Sequence, residues 1–131
     1  MFENCKNSKK QGDLGLGKAI GWLTECGYTV SIPLTDSQDY DLIVDMDNKL
    51  NKVQVKTTRY KNKNGIFCVN LSVKGGNQSS NTIKKFDANF TDYVYVYTSN
   101  NEMYFIPSCE IKTKNNLNIG KLFSKYKIMT S

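Results

Sequence analysis

The 131-residue chain carries 18 basic and 12 acidic residues, a net charge of +6 at neutral pH, and no histidine. That length suits one domain with a sizeable core, and the missing histidine excludes Ser-His-Asp and Cys-His catalysis, histidine zinc sites and nucleases with a histidine base. The four cysteines (Cys5, Cys26, Cys68, Cys109) are too scattered for a zinc motif and read as free thiols, while no apolar run approaches the roughly 18 residues of a membrane span.

The polar start MFENCKNSKKQ has no apolar signal-peptide core, so a cytoplasmic location without membrane contact is expected. Residues 1–11 read as a flexible tail on a single domain spanning 1–131. From Asp13 to Cys26, Leu16, Ala19, Ile20 and Leu23 recur at helical spacing, and Gly27 stands where a helix takes its left-handed stop. The segment GDLGLGKA within it matches the phosphate-loop pattern G-x-x-x-x-G-K-[ST] except at its last position. Such a loop needs a strand before it, a helix after it and a hydroxyl for Mg²⁺. Here the preceding segment is polar, the glycines fall inside the helical stripe, and Ala19 replaces the hydroxyl. These glycines are the first turns of a helix packed on a sheet.

Strands are expected at YTVSIPL (28–34), DLIVDM (41–46), NKVQVKTT (51–58) and IFCVNLSV (66–73), the middle two joined by a turn at Asp47–Leu50. KGGNQSSN (74–81) reads as a loop, DYVYVYT and EMYFIP as a second strand pair across Ser99–Asn101, and Ile119, Leu122, Phe123 and Tyr126 as a closing short helix.

Charge is unevenly spread. Residues 1–50 hold 8 acids against 5 lysines, and residues 51–131 hold 13 basic residues against 4 acids. An acidic half followed by a basic half suits a metal site beside an anion-binding face, as well as an ordinary basic surface. With the hairpin symmetric about the Asn48–Lys49 bond, Asp41 faces Lys56 and Ile43 faces Gln54. Asp41, Gln54 and Lys56 then share one sheet face, and Val53 and Val55 point into the core. An acid, an amide oxygen and a lysine at a sheet end form a plausible hard-metal site. The same three residues also read as an exposed Asp–Lys pair worth roughly 0.2–1 kcal/mol.

DYDLIVDMDNKLNKVQVKTTR resembles the signature of the PD-(D/E)XK nuclease superfamily, with Asp41 followed by Gln54-Val55-Lys56. The preceding GDLGLGKAIGWLTECGYTV and the later TDYVYVYT and EMYFIP fit the same order, so the similarity spans roughly residues 10–111. The resemblance is to the small endonuclease family that includes intron-encoded homing enzymes, with Holliday junction resolvases more distant. It implies an α/β fold, a mixed, mainly antiparallel central sheet flanked by helices. It also implies Mg²⁺, for which Mn²⁺ can substitute, held by Asp41, the Gln54 side-chain oxygen and the Val55 carbonyl, with Lys56 polarising the attacking water. Two departures stand out. Gln54 replaces the usual acid, and Leu16 occupies the place of a first-helix Glu, which leaves Asp13 as the candidate replacement.

In this reading Arg59, Lys61, Lys63, Lys74, Lys84 and Lys85 grip the DNA backbone. Arg59, the single arginine, is the best candidate for a bidentate contact. Tyr93, Tyr95 and Tyr97 line one strand face as core, as a subunit interface or as a base-stacking row. The expected function is a Mg²⁺-dependent DNA endonuclease of homing or restriction type, acting as a dimer or tetramer. A junction resolvase and an inactive DNA-binding protein on the same fold are the alternatives.

Overall fold

The helix starts earlier than its apolar stripe suggests. In the computed structural model, which describes residues 2–74 and 83–129, α1 runs from Ser8 to Glu25. The Asn7 side chain caps it, accepting the Lys10 N–H at 2.9 Å. The expectation of a flexible tail over 1–11 is therefore corrected. Phe2 is buried, with its ring centroid 5.9 Å from that of Tyr97, and residues 8–11 are the first turn of α1. Gln11, Gly15, Ala19 and Leu23 form the buried line of α1 at four-residue spacing. Gly15 belongs on it because a Cβ there would stand 2.2 Å from Thr57 Cγ2, so only a glycine lets the helix come this close to the sheet. The helix stops at Gly27, whose φ is +87°.

The chain then forms β1 (Thr29–Ser31), β2 (Leu42–Met46), β3 (Lys49–Thr58), β4 (Phe67–Asn70), β5 (Val73–Lys74), β6 (Ile83–Lys84), β7 (Tyr93–Thr98), β8 (Met103–Pro107) and β9 (Asn116–Ile119). Five of them make one sheet in the order β1-β2-β3-β7-β8, antiparallel throughout except for the β3–β7 pair. This is the mixed, mainly antiparallel sheet that the resemblance implies. β4 pairs with β9 and β5 with β6, in two further ladders. The loop expected at 74–81 lies outside the described residues from 75 onward.

Two apolar clusters sandwich the sheet. Ala19 and Leu23 of α1 pack with Leu42, Val44, Val53, Tyr95 and Tyr97 on one face. On the other, Val94, Val96 and Ile106 pack beneath Phe67 and Val69 of β4 and Leu117 and Ile119 of β9. Tyr95 and Tyr97 are thus core residues, and Tyr93, which is only half-buried, stacks on Phe105 at 4.3 Å. The closing helix is also corrected: Ile119 is in β9, and Lys121–Tyr126 is a 3₁₀ turn that buries Phe123 and leaves Leu122 73% exposed.

The β2–β3 register differs from the expected one by two residues. Leu42 pairs with Val53 and Ile43 with Lys52. The turn centres on Asp47 and Asn48, whose φ values are 55° and 62°. Two successive left-handed residues make a tight two-residue hairpin turn that matches the twist of the strands, and Asp and Asn tolerate that conformation. A slip of two preserves the faces, but it moves the position opposite Asp41 from Lys56 to Gln54.

Candidate active site

Strand alternation divides β3 between two environments. Val55 and Thr57 lie under Gly15 of α1. Gln54 and Lys56 point the opposite way, beside Val94 and Val96 of the parallel neighbour β7. Gln54 is only 4% exposed, and Lys56 is half-buried.

Asp41 comes from the residue just before β2, where that strand parts from β3. Its N–H still donates to the Val53 carbonyl at 2.9 Å. Its Oδ2 accepts the Val55 N–H at 2.7 Å, taking up a donor that the ladder no longer pairs. The carboxylate is thereby tied to the backbone of the residue between Gln54 and Lys56. Lys56 Nζ lies 3.4 Å from the Ser72 carbonyl oxygen.

The electrostatics are those of two partly dehydrated opposite charges. Asp41 is exposed as a residue, yet the protein crowding its carboxylate drives its pKa above the ordinary carboxylate value, against the lowering effects of the Val55 N–H and the Lys56 charge. Desolvation lowers the pKa of Lys56, and the Asp41 charge opposes that shift. Gln54 Oε1 is buried without a hydrogen-bond donor among the described residues. An unmatched buried acceptor costs about 1–3 kcal/mol.

The PD-(D/E)XK endonuclease family matches the chain over residues 6–122. The chain belongs to that family. A solved structure of a bacterial homing endonuclease, I-Ssp6803I, is similar at a TM-score of 0.73 and 26% identity, covering 88% of this chain and 79% of that one. No curated protein sequence matches.

Members of the family are metal-dependent, and the residues here fit a hard cation. The orphaned Oε1 of Gln54 is an oxygen lacking a positive partner, and the Asp41 carboxylate is held at the backbone of the next residue, Val55. Among the described residues no group of three His, Cys, Asp or Glu side chains could hold a metal. A carboxylate and neutral oxygens would suit an ion that also draws on phosphate oxygens and water rather than a closed protein cage.

Asp13 is not brought to this group. It is exposed, two residues from both Gln11 and Gly15 and so about 160° around α1 from the buried line. That line itself packs on the face of β3 turned away from Gln54. Of the basic candidates, Arg59 is exposed just beyond the end of β3, and Lys63 is exposed in the turn that follows. Lys61 Nζ sits 4.8 Å from the Phe67 ring centroid, an intramolecular cation–π contact. Lys74 and Lys84 belong to the paired strands β5 and β6. Lys85 lines a cleft of about 450 Å³ with Asp39, Gln54, Phe86, Asp87, Phe90 and Thr91. Sequence reasoning missed that cleft, and its one local signal was an aromatic residue in the polar stretch DANFTD. Among the described residues no helix is long and apolar enough to cross a membrane.

Proposed function

We propose that the protein is a Mg²⁺-dependent DNA endonuclease of homing or restriction type, with Asp41, Gln54, Val55 and Lys56 as its active site. The observation that supports this reading is the Asp41 carboxylate bonded to the Val55 N–H, between the neighbours Gln54, whose Oε1 is buried and unmatched, and Lys56, which is partly dehydrated. Asp41, Gln54 Oε1 and the Val55 carbonyl would hold the ion, with Mn²⁺ able to replace it. When bound, it supplies charge neutralisation at the phosphate and a more acidic water. Lys56 orients the attacking water and stabilises the negative charge that grows on the non-bridging phosphate oxygens. Water attacks phosphorus in line, the P–O3′ bond breaks, the 3′ oxygen leaves with a proton from solvent, and the water's proton passes to solvent.

Exposed Arg59, Lys63 and Lys85, with Lys74 and Lys84, supply a salt-sensitive grip on the backbone. Cutting both strands calls for two active sites, so the working form is a dimer or larger oligomer, and its place is the cytoplasm. Asp13 has no role in this site.

One observation favours a second reading, a DNA-binding protein without useful catalysis. Among the described residues no three acidic, histidine or cysteine side chains gather into a metal site, and the neutral Gln54 stands where the family has an acid. Cleavage of supercoiled plasmid and of a four-way junction, with Mg²⁺, Mn²⁺ or EDTA, decides between them. The endonuclease reading expects metal-dependent cutting that Asp41→Asn abolishes. Salt-sensitive binding of both DNAs without any cutting would move the conclusion to the inactive binder.

A further inference from the structure

The cleft beside Gln54 has a wall that the chemistry at Asp41 and Lys56 does not explain. Phe86 and Thr91 are buried at 6% and 4% exposure, but Phe90, between them in sequence, is 57% exposed. Its ring is held out by a fixed segment rather than a slack one. The Phe86 N–H donates to the Lys114 carbonyl at 2.9 Å, and Asp87 accepts both the Asn89 N–H at 2.9 Å and the Phe90 N–H at 3.1 Å. Two residues on, Asp92 is clamped to Lys52 by its own N–H and by its carboxylate, at 2.9 and 2.8 Å. A ring presented this way is preorganised for a flat partner.

The neighbours restrict what that partner is. Gln54 reaches the same cleft and, in the reading above, marks the scissile phosphate. Material one step further along the DNA strand therefore falls in the cleft. Lys85 on the cleft wall is a cation for the next phosphate. A volume of about 450 Å³ is at the small end of ligand sites, a space for one nucleotide rather than for a whole groove.

We propose that this cleft receives one nucleotide next to the scissile phosphate, with its base stacked on Phe90 and its phosphate against Lys85. Phe90 then fixes where the strand lies over Asp41 and Gln54. The inference rests on the endonuclease reading, and its test is built so that the two fail separately.

The probe is a set of mixed-sequence duplexes carrying 2-aminopurine at successive positions, with Ca²⁺ in place of Mg²⁺ to hold them uncut. The full chain is compared as wild type, Phe90→Ala, Phe90→Trp and Lys85→Ala. Wild type and Phe90→Trp should change the 2-aminopurine fluorescence on binding. Phe90→Ala should lose that change and bind roughly 5- to 150-fold more weakly. Stacking releases no counterions, so its slope of log K against log salt should match wild type, whereas Lys85→Ala should flatten the slope by about 0.9. The inference is overturned by unchanged affinity and fluorescence in Phe90→Ala. It is equally overturned by a Phe90→Ala protein that dissociates in sedimentation, which would make the ring a contact between copies. Plasmid cleavage by the same preparations separates the two readings. Metal-dependent cutting that is indifferent to Phe90→Ala sinks the cleft assignment alone. If wild type does not cut, the endonuclease reading falls, and the 2-aminopurine signal still decides whether the cleft takes a base.

Discussion

Gly15→Ala tests how the helix is seated behind the active-site strand. An added Cβ would stand 2.2 Å from Thr57 Cγ2, whereas its distances to Thr57 Cβ and Val55 Cγ1, both 3.7 Å, are ordinary. Carbon atoms prefer roughly 3.5–4.0 Å, so one contact is more than 1 Å too short. Thr57 is β-branched and stiff at χ1, so it relieves the clash poorly. Overpacking of this kind costs about 1–3 kcal/mol, and Ala in place of Gly returns about 1 kcal/mol of helix propensity. The expected net loss is about 1 kcal/mol, a fall in Tm of roughly 3–5 °C for a domain of this size. In a Thr57→Ser background the clashing methyl is gone, and the same change should stabilise by up to about 1 kcal/mol, a coupling of about 2 kcal/mol in the double-mutant cycle. Because α1 bears on the reverse of the strand that carries Gln54 and Lys56, single-turnover cleavage should also slow by roughly tenfold. Thermal unfolding of the four proteins in EDTA reads the cycle. A Gly15→Ala protein that melts higher than wild type, or the same shift in both backgrounds, would refute this reasoning.

The charged pair should trade stability for activity. The folded pKa of Asp41 lies above its unfolded value, so its contribution to stability is full below the unfolded pKa, near 3.9, and is lost as pH rises through the folded pKa. In EDTA, Asp41→Asn should therefore melt above wild type at neutral pH, and the gap should close in acid. For Lys56 the folded pKa is depressed, so its unfavourable desolvation is fully present at neutral pH. Lys56→Met, which keeps the apolar stem, should raise Tm there while abolishing cleavage. Gln54→Glu adds a charge to the metal position and should lower the Mg²⁺ concentration for half-maximal cleavage, read by metal titration. Arg59→Ala should weaken DNA binding and reduce the salt slope by about 0.9 with little change in Tm, because its side chain is exposed.

Elements encoded by local periodicity were legible in the sequence. The stripe through Ala19 and Leu23 gives α1, and the alternation of Gln54 and Lys56 with Val53 and Val55 gives the two-sided β3. What depends on distant pairing was not. β9 is only four residues, its Asn-Leu-Asn-Ile alternation ran into the helical spacing of Ile119, Leu122 and Phe123, and its partner β4 lies about fifty residues earlier, so the ladder could not be read locally. The hairpin register turned on whether Asp47 and Asn48 both adopt positive φ, a choice that the neighbouring residues Lys49 and Leu50 disguised. The bond from Val55 N–H to Asp41 is legible only once that register is known. The placement of Asp13 away from the site follows from how α1 turns its buried line to the sheet, and Asp13 and Gly15 look alike in a stripe that counts only apolar residues. Phe90 was missed for a different reason: exposure is a property of the folded surface, and a phenylalanine reads as core even in a polar stretch such as DANFTD.

Lys56→Ala beside wild type, assayed for Mg²⁺-dependent plasmid cleavage and for DNA binding on the same folded preparations, tests the central claim most directly. Cutting by wild type alone, with binding retained by the variant, is the expected result. Equal cutting by Lys56→Ala would contradict the site at the β2–β3 junction.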